Sequence, residues 1–242
     1  MDEFEKLKEI ILSSEKIVFF GGAGVSTESG IPDYRSVDGL YNQKYKNPPE
    51  IMLSHSFFVE NPEDFYDFYK NKMMCLGAKP NYAHIFLSEL EKKGKIEAII
   101  TQNVDGLHQM AGSEKVYELH GSVHRNYCTW CGEKYTAEFV KNYQGVPSCK
   151  KCNNIVRPDV VLYEEHLDST VIEGAVRAIS NADTLIIGGT SLAVYPAAGL
   201  IDYFNGKYLV LINKTPTNRD SVADLIIRDP IGETFKKIKD VI

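Results

Sequence analysis

The sequence predicts an α/β protein: a parallel sheet with helices on both faces, interrupted by insertions that form a small cysteine-bearing unit. Short continuous apolar runs, typical of strands buried on both faces, recur along the chain and alternate with stretches of helical periodicity. Several of those runs end directly in glycines or polar clusters, as strands do at the ligand-binding edge of an open α/β sheet. One segment, 124–156, breaks the alternation with cysteine, glycine, proline and lysine and little apolar periodicity.

Taken in order, Phe4, Leu7, Ile10 and Ile11 recur at helical spacing, which predicts an amphipathic helix over 4–14. Residues 17–20 (IVFF) read as a buried strand that stops at Gly21-Gly22. Residues 36–62 are rich in Pro, Asn and Tyr and read as loop with short helical pieces; helices follow over 63–75 and 84–93, the second stopping at Gly94. Residues 96–100 (IEAII) form a second strand running into TQNVDGLH. Beyond the cysteine segment, strands are expected at 160–163, 184–189, 208–213 and 224–228, separated by helices near 169–180, 196–205 and 232–241. The larger domain is thus expected to comprise 1–36, 81–123 and 157–242, with a helical and loop insertion at 37–80 and another at 124–156.

Composition narrows the function classes. Lysine and arginine (27) are outnumbered by aspartate and glutamate (33), a net charge of −6, so no global positive field favours coating a nucleic acid. No apolar run approaches the ~18 residues of a membrane span, and the charged, amphipathic start is unlike a signal peptide. A cytoplasmic monomer without membrane or direct nucleic-acid contacts is expected.

Cys128, Cys131, Cys149 and Cys152 form two CxxC pairs seventeen residues apart, the spacing of a four-thiolate zinc site. With sulfur in all four positions no place remains for water or substrate, so the metal is expected to be structural. Cys75 stands apart and reads as a small buried hydrophobe.

The glycine turn Gly21-Gly22-Ala23-Gly24 suits a phosphate, but it is not the G-x-G-x-x-G pattern, and taken alone it is equally a structural turn. GIPDYR (30–35) places Arg35, a planar phosphate clamp or a surface ion-pair partner, beside it. Gln102, Asn103 and Asp105 can recognise a carboxamide or ribose hydroxyl; His120, just before the cysteine segment, can act as a general base near neutral pH. His108 serves either the site or the fold. Thr190, Ser191 and Asn213, at later strand ends, offer hydroxyls and an amide to a phosphate or ribose, or act as turn and cap residues.

Together, GAGVSTESGIPDYR (22–35), TQNVDGLH (101–108), HG (120–121), the four cysteines, RPDVVLYEE (157–165), GTSLAVYPA (189–197) and LIN (211–213) resemble the sirtuins, the NAD-dependent protein-lysine deacylases, in a prokaryotic form. The resemblance implies a Rossmann-like large domain and a small zinc module, with NAD⁺ and an acyl-lysine peptide meeting between them. It further implies that the acyl oxygen attacks the nicotinamide-bearing ribose carbon, expelling nicotinamide, with His120 as the base for a ribose hydroxyl. Position by position, it places Ala23, Thr27, Tyr34, Arg35, Gln102, Val104, Asp105, Thr190, Ser191, Asn213 and Ile231 on the cofactor and Asn103 against the reacting ribose. The substrate peptide would add as a strand between loops 160–165 and 192–195, touching Val161, Tyr163, Glu164 and Val194.

Three departures stand out. Tyr34 replaces the usual Phe, and Tyr163-Glu164-Glu165 replaces Phe-Gly-Glu, stiffening a backbone that must approach the peptide. Members that prefer succinyl or malonyl groups carry Tyr-x-x-Arg where this chain has Tyr66 and Tyr69, so acetyl or another uncharged acyl group is expected. Protein ADP-ribosyl transfer, a non-catalytic NAD- and zinc-binding module and an NAD dehydrogenase are the rival readings; the late Gly30 and the missing acidic ribose residue speak against the last.

Overall fold

The computed structural model describes residues 2–33, 39 and 47–241; Tyr34 and Arg35 lie outside the described residues. The strands are β1 (Ile17–Gly21), β2 (Ile96–Thr101), β3 (Val116–Glu118), β4 (Gly121–Cys128), β5 (Lys134–Tyr135), β6 (Val156–Val160), β7 (Thr184–Gly188), β8 (Tyr208–Ile212) and β9 (Leu225–Ile227). The helices are α1 (Glu3–Ser13), α2 (Pro49–Met52), α3 (His55–Glu60), α4 (Pro62–Phe68), α5 (Tyr82–Lys92), α6 (Leu107–Met110), α7 (Ala137–Asn142), α8 (Ser169–Asn181) and α9 (Ile231–Lys237).

Six strands form one parallel sheet in the order β3-β2-β1-β7-β8-β9. Counted within that sheet alone, the order is the doubly wound 3-2-1-4-5-6, with its switch point between β1 and β7. Every residue of β1 and β7 is buried, and alternate side chains feed opposite cores. Ile17 and Phe19 pack with Leu7 and Ile11 of α1, Phe86 and Leu90 of α5 and Phe235 of α9. Val18 and Phe20 pack instead with Ala175 and Ile179 of α8 and Leu200 of the 3₁₀ helix Ala197–Tyr203. Helix starts follow local chemistry: the Asp168 carboxylate accepts from Val171 N (3.0 Å) to open α8, and Asn81 Oδ1 accepts from Ala83 N (2.9 Å) to open α5.

The remaining strands form an antiparallel sheet, β5-β4-β6. Its core joins Val123, Cys128, Val140 and Val156 to Met52, Phe57, Phe65, Tyr66 and Tyr69, so the two insertions share one small hydrophobic interior. Its strands span 121–160, slightly wider than the cysteine segment read from the sequence.

Three expected elements need correction. The strand expected over 160–163 ends at Val160 and belongs to the small sheet; beyond it the chain folds back, Glu165 N donating to Leu162 O (3.0 Å). The helix over 63–75 is α-helical only through Phe68 and closes in a π-helical turn at Tyr69–Met73. The segment near 196–205 is 3₁₀ rather than α. Strands β3, β4 and β5 had not been expected; they are short or irregular, and their mixed burial weakens any alternation. Cys75 is half-buried, and burial pushes its thiol up.

His108 serves the fold: it is buried, its ring 4.7 Å from that of His84 and 6.0 Å from Phe19. Burial lowers His84 to about 4, the nearby Asp105 charge opposing, and holds His108 well below its ordinary value. Both rings therefore fold neutral. Below pH ~6.5 the unfolded chain takes up protons that the folded chain refuses until about 4, so stability falls across that window. Urea unfolding at pH 7.5 and 4.5 checks this; a His84→Gln variant with an undiminished acid loss would refute it.

Candidate active site

Parallel pairing brings the functional-looking segments together. In register, Gly21 lies opposite both Thr101 and Gly188, and Gly188 opposite Ile212, so the chain leaves all four strands at one level. At that edge lies a cavity of about 840 Å³, closed on the far side by the small unit through Leu53, Met73 and the loop 160–165.

At the switch point the two glycine loops meet backbone to backbone. Gly24 N donates to Gly189 O (2.8 Å), and Gly189 adopts φ +58°; a Cβ there would lie 2.4 Å from Val25 N. The contact keeps Ala23, Gly24 and Thr27 beside Thr190 and Ser191 on one wall, a surface of small residues that suits a close-lying phosphate. Gln102 spans the strands: its amide N donates to Gly21 O (2.9 Å) and its Nε2 to Thr190 Oγ1 (3.2 Å).

Asn103 is buried and oriented by a relay. Its Nδ2 donates to Ser26 Oγ (3.1 Å), and Ser26 Oγ donates to Asp105 Oδ2 (2.7 Å). Asp105 Oδ1 accepts from Leu107 N (2.9 Å). Asp105 thus directs its carboxylate into the protein and is the one described member of the expected cofactor set absent from the cavity lining. Ser26, Leu53 and Met73 were not singled out from the sequence. Ser26 sits inside the GAGVSTESG motif, whereas nothing local marks Leu53 or Met73.

His120 lines the cavity, its Nδ1 donating to Gln102 O (2.9 Å), which leaves Nε2 to exchange protons. Burial lowers its pKa, the bond to Gln102 O opposing, so the ring is neutral at pH 7. Asn213, nearly buried, anchors through Nδ2 on Thr215 O (2.8 Å); Ile231 opens α9, whose Gly232 N donates to Glu28 Oε2 (2.7 Å). Asn213, Ile231, Val104, Val161, Tyr163, Glu164 and Val194 all line the cavity.

Away from it, the four cysteine sulfurs lie within 4.8 Å of one another, with Cys128–Cys152, Cys131–Cys152 and Cys131–Cys149 separations of 3.3, 3.5 and 3.6 Å. A zinc tetrathiolate has edges of about 3.8 Å, so the cluster is of the right size for that ion. The Trp130 amide N donates to Cys128 Sγ (3.4 Å), and the Lys151 amide N (3.4 Å) and Tyr135 hydroxyl (3.2 Å) donate to Cys149 Sγ, as suits thiolates.

A family model described as the Sir2 family matches residues 22–196. The chain belongs to the Sir2 family. It is 62% identical to an NAD-dependent protein deacetylase of Clostridium perfringens over 242 residues, 99% of each chain. Among solved structures, a Sir2 variant with a deacetylated p53 peptide and 3'-O-acetyl ADP ribose superposes with a TM-score of 0.91 at 40% identity, covering 98% of this chain and 97% of that one. A Sir2–p53 peptide–NAD⁺ structure superposes at 0.86 and 40% identity, covering 99% and 98%. In Sir2 terms, this chain's cavity lies at the junction of its sheet and its cysteine-bearing unit. No helix among the described residues is long and apolar enough to cross a membrane.

Proposed function

We propose that this chain is an NAD-dependent protein-lysine deacetylase that releases free lysine, nicotinamide and O-acetyl-ADP-ribose. The observation that carries the reading is His120, held through Nδ1 by Gln102 O on a cavity bounded by the glycine loops on one side and the loop 160–165 on the other. NAD⁺, when bound, supplies a ribose carbon whose bond to nicotinamide can be broken by the acyl oxygen. The wall of Ala23, Thr27, Thr190 and Ser191 holds the phosphates, with Arg35 and Tyr34 expected beside it. Gln102 and Asn213 reach ribose hydroxyls, and Ile231 borders the adenine. Val104 borders the nicotinamide. Asp105 contributes through Ser26, which fixes the Asn103 amide against the reacting ribose. His120 Nε2 then takes the proton of a ribose hydroxyl as that oxygen bonds the acyl carbon.

The peptide would lie extended between 160–165 and 192–195, touching Val161, Tyr163, Glu164 and Val194. The four cysteines would hold a structural Zn²⁺. Tyr66 and Tyr69 are fully buried, Tyr66 Oη donating to Val156 O (2.5 Å), and neither lines the cavity. The apolar Leu53 and Met73 face it from that unit, which favours an uncharged acyl group. Acetyl, propionyl, butyryl and succinyl peptides with NAD⁺ test the reading. Nicotinamide should appear in step with deacylated peptide for uncharged groups and not for succinyl. Release of neither product by zinc-loaded protein across a broad panel refutes it.

A further inference from the structure

Glu164 carries a full side chain on a left-handed backbone, with φ +77°. An L side chain avoids that region because its Cβ crowds the following carbonyl, so something must hold Glu164 there. Its side chain does: Oε2 accepts from both the Ser56 amide N (2.9 Å) and Ser56 Oγ (2.6 Å). These bonds keep the carboxyl below its usual range, so the anchor persists in mild acid.

The neighbours are equally committed. Tyr163 N donates to Leu53 O and His55 N to Tyr163 O, both at 3.0 Å, forming a short parallel bridge. Glu165 accepts a two-pronged pair from Arg157 (2.9 and 3.0 Å), a bond from Leu162 N (2.9 Å) and one from His55 Nδ1 (2.8 Å). By contrast, the backbone N–H and C=O of Glu164 take no hydrogen bond among the described residues, and this residue lines the cavity. Strand addition by a peptide needs such unpaired main-chain groups, held still.

We propose that Glu164 is a positioning residue for the acyl-peptide: anchored on Ser56, its carboxylate holds the left-handed turn that presents the open main chain of residue 164 to the substrate backbone. The inference rests on the deacetylase reading. It makes the carboxylate a brace facing α3 rather than a reader of basic side chains on the peptide, and an anchored residue here loses less freedom on binding than an unanchored one.

Three variants separate this from a merely structural role. Glu164→Ala keeps the strain and loses the anchor, so the peptide KM should rise about 10-fold; Glu164→Gly loses the anchor but not the turn and should rise about 3-fold. Glu164→Gln keeps an acceptor oxygen and should stay within about 2-fold of the parent. The KM for NAD⁺ and kcat should hold in all three, because residue 164 is braced apart from the glycine loops. Amide exchange gives a readout free of turnover: the Ser56 N–H should exchange about 10-fold faster in Glu164→Ala than in the parent. An unchanged peptide KM in Glu164→Ala, a parallel rise in both KM values, or an unchanged Ser56 amide overturns the proposal. If the parent protein itself shows no turnover, the deacetylase reading falls, and Ser56 exchange alone decides whether the anchor exists.

Discussion

Replacing His120 with alanine is expected to lower turnover by about 10²- to 10⁴-fold while leaving the unfolding midpoint in urea nearly unchanged. The ring lies in the cavity wall, and among the described residues its hydrogen bond is to Gln102 O, directly after β2, a strand held in the sheet on both sides. Loss of the imidazole therefore removes a proton acceptor without opening either core. Because burial depresses the pKa, the acid limb of kcat/KM should lie below pH 6.5 rather than above it: activity needs the neutral ring, and neutrality survives to lower pH than for an exposed histidine. Nicotinamide release and peptide deacetylation measured from pH 5 to 9 check both statements. Full turnover by His120→Ala would remove this residue as the base.

The second large effect concerns the cysteines. A tetrathiolate zinc site contributes on the order of 10–16 kcal/mol of apparent binding free energy at pH 7, as much as the whole stability of an ordinary domain. Cys128 and Cys149 are buried in the small unit's core beside Val123 and Val156, so metal loss should loosen that core as well as the knuckles. Cys149→Ser should abolish zinc binding at the cluster and the ordered small sheet, and with it the Leu53 and Met73 side of the cavity. The six-stranded sheet, built on separate cores, should remain. Trp130, the chain's one tryptophan, sits 80% exposed between Cys128 and Cys131 and reports the event by fluorescence on chelation. A Cys149→Ser protein that kept its zinc and its thermal midpoint would contradict the assignment.

Much of the site was legible because its chemistry is local and its convergence is imposed by the sheet. A parallel sheet carries every strand's carboxyl end to one edge, so GAG, TQNVD, TS and Asn213 were bound to meet once their strands were recognised. Other features had no local signal. Leu53 and Met73 look like any apolar residues in an irregular segment, and the strand β4 follows no clear alternation. Asp105 reads as a ligand-facing carboxylate, yet the nearest donors are Ser26 Oγ and Leu107 N, and it turns to them.

From sequence alone came the alternating α/β order, the edge at which a nucleotide could lie, the place of His120 beside it and the paired thiols. Each depends on residues a few positions apart, or on a strand direction that leaves no choice. Only the folded chain decided that the segments around 50–75 and 120–160 condense into one core, that their apolar side closes the cavity, and that the Glu164 carboxylate turns to Ser56 while the residue itself lines the cavity. Those outcomes turn on which distant surfaces exclude water together, and no short stretch of residues encodes that.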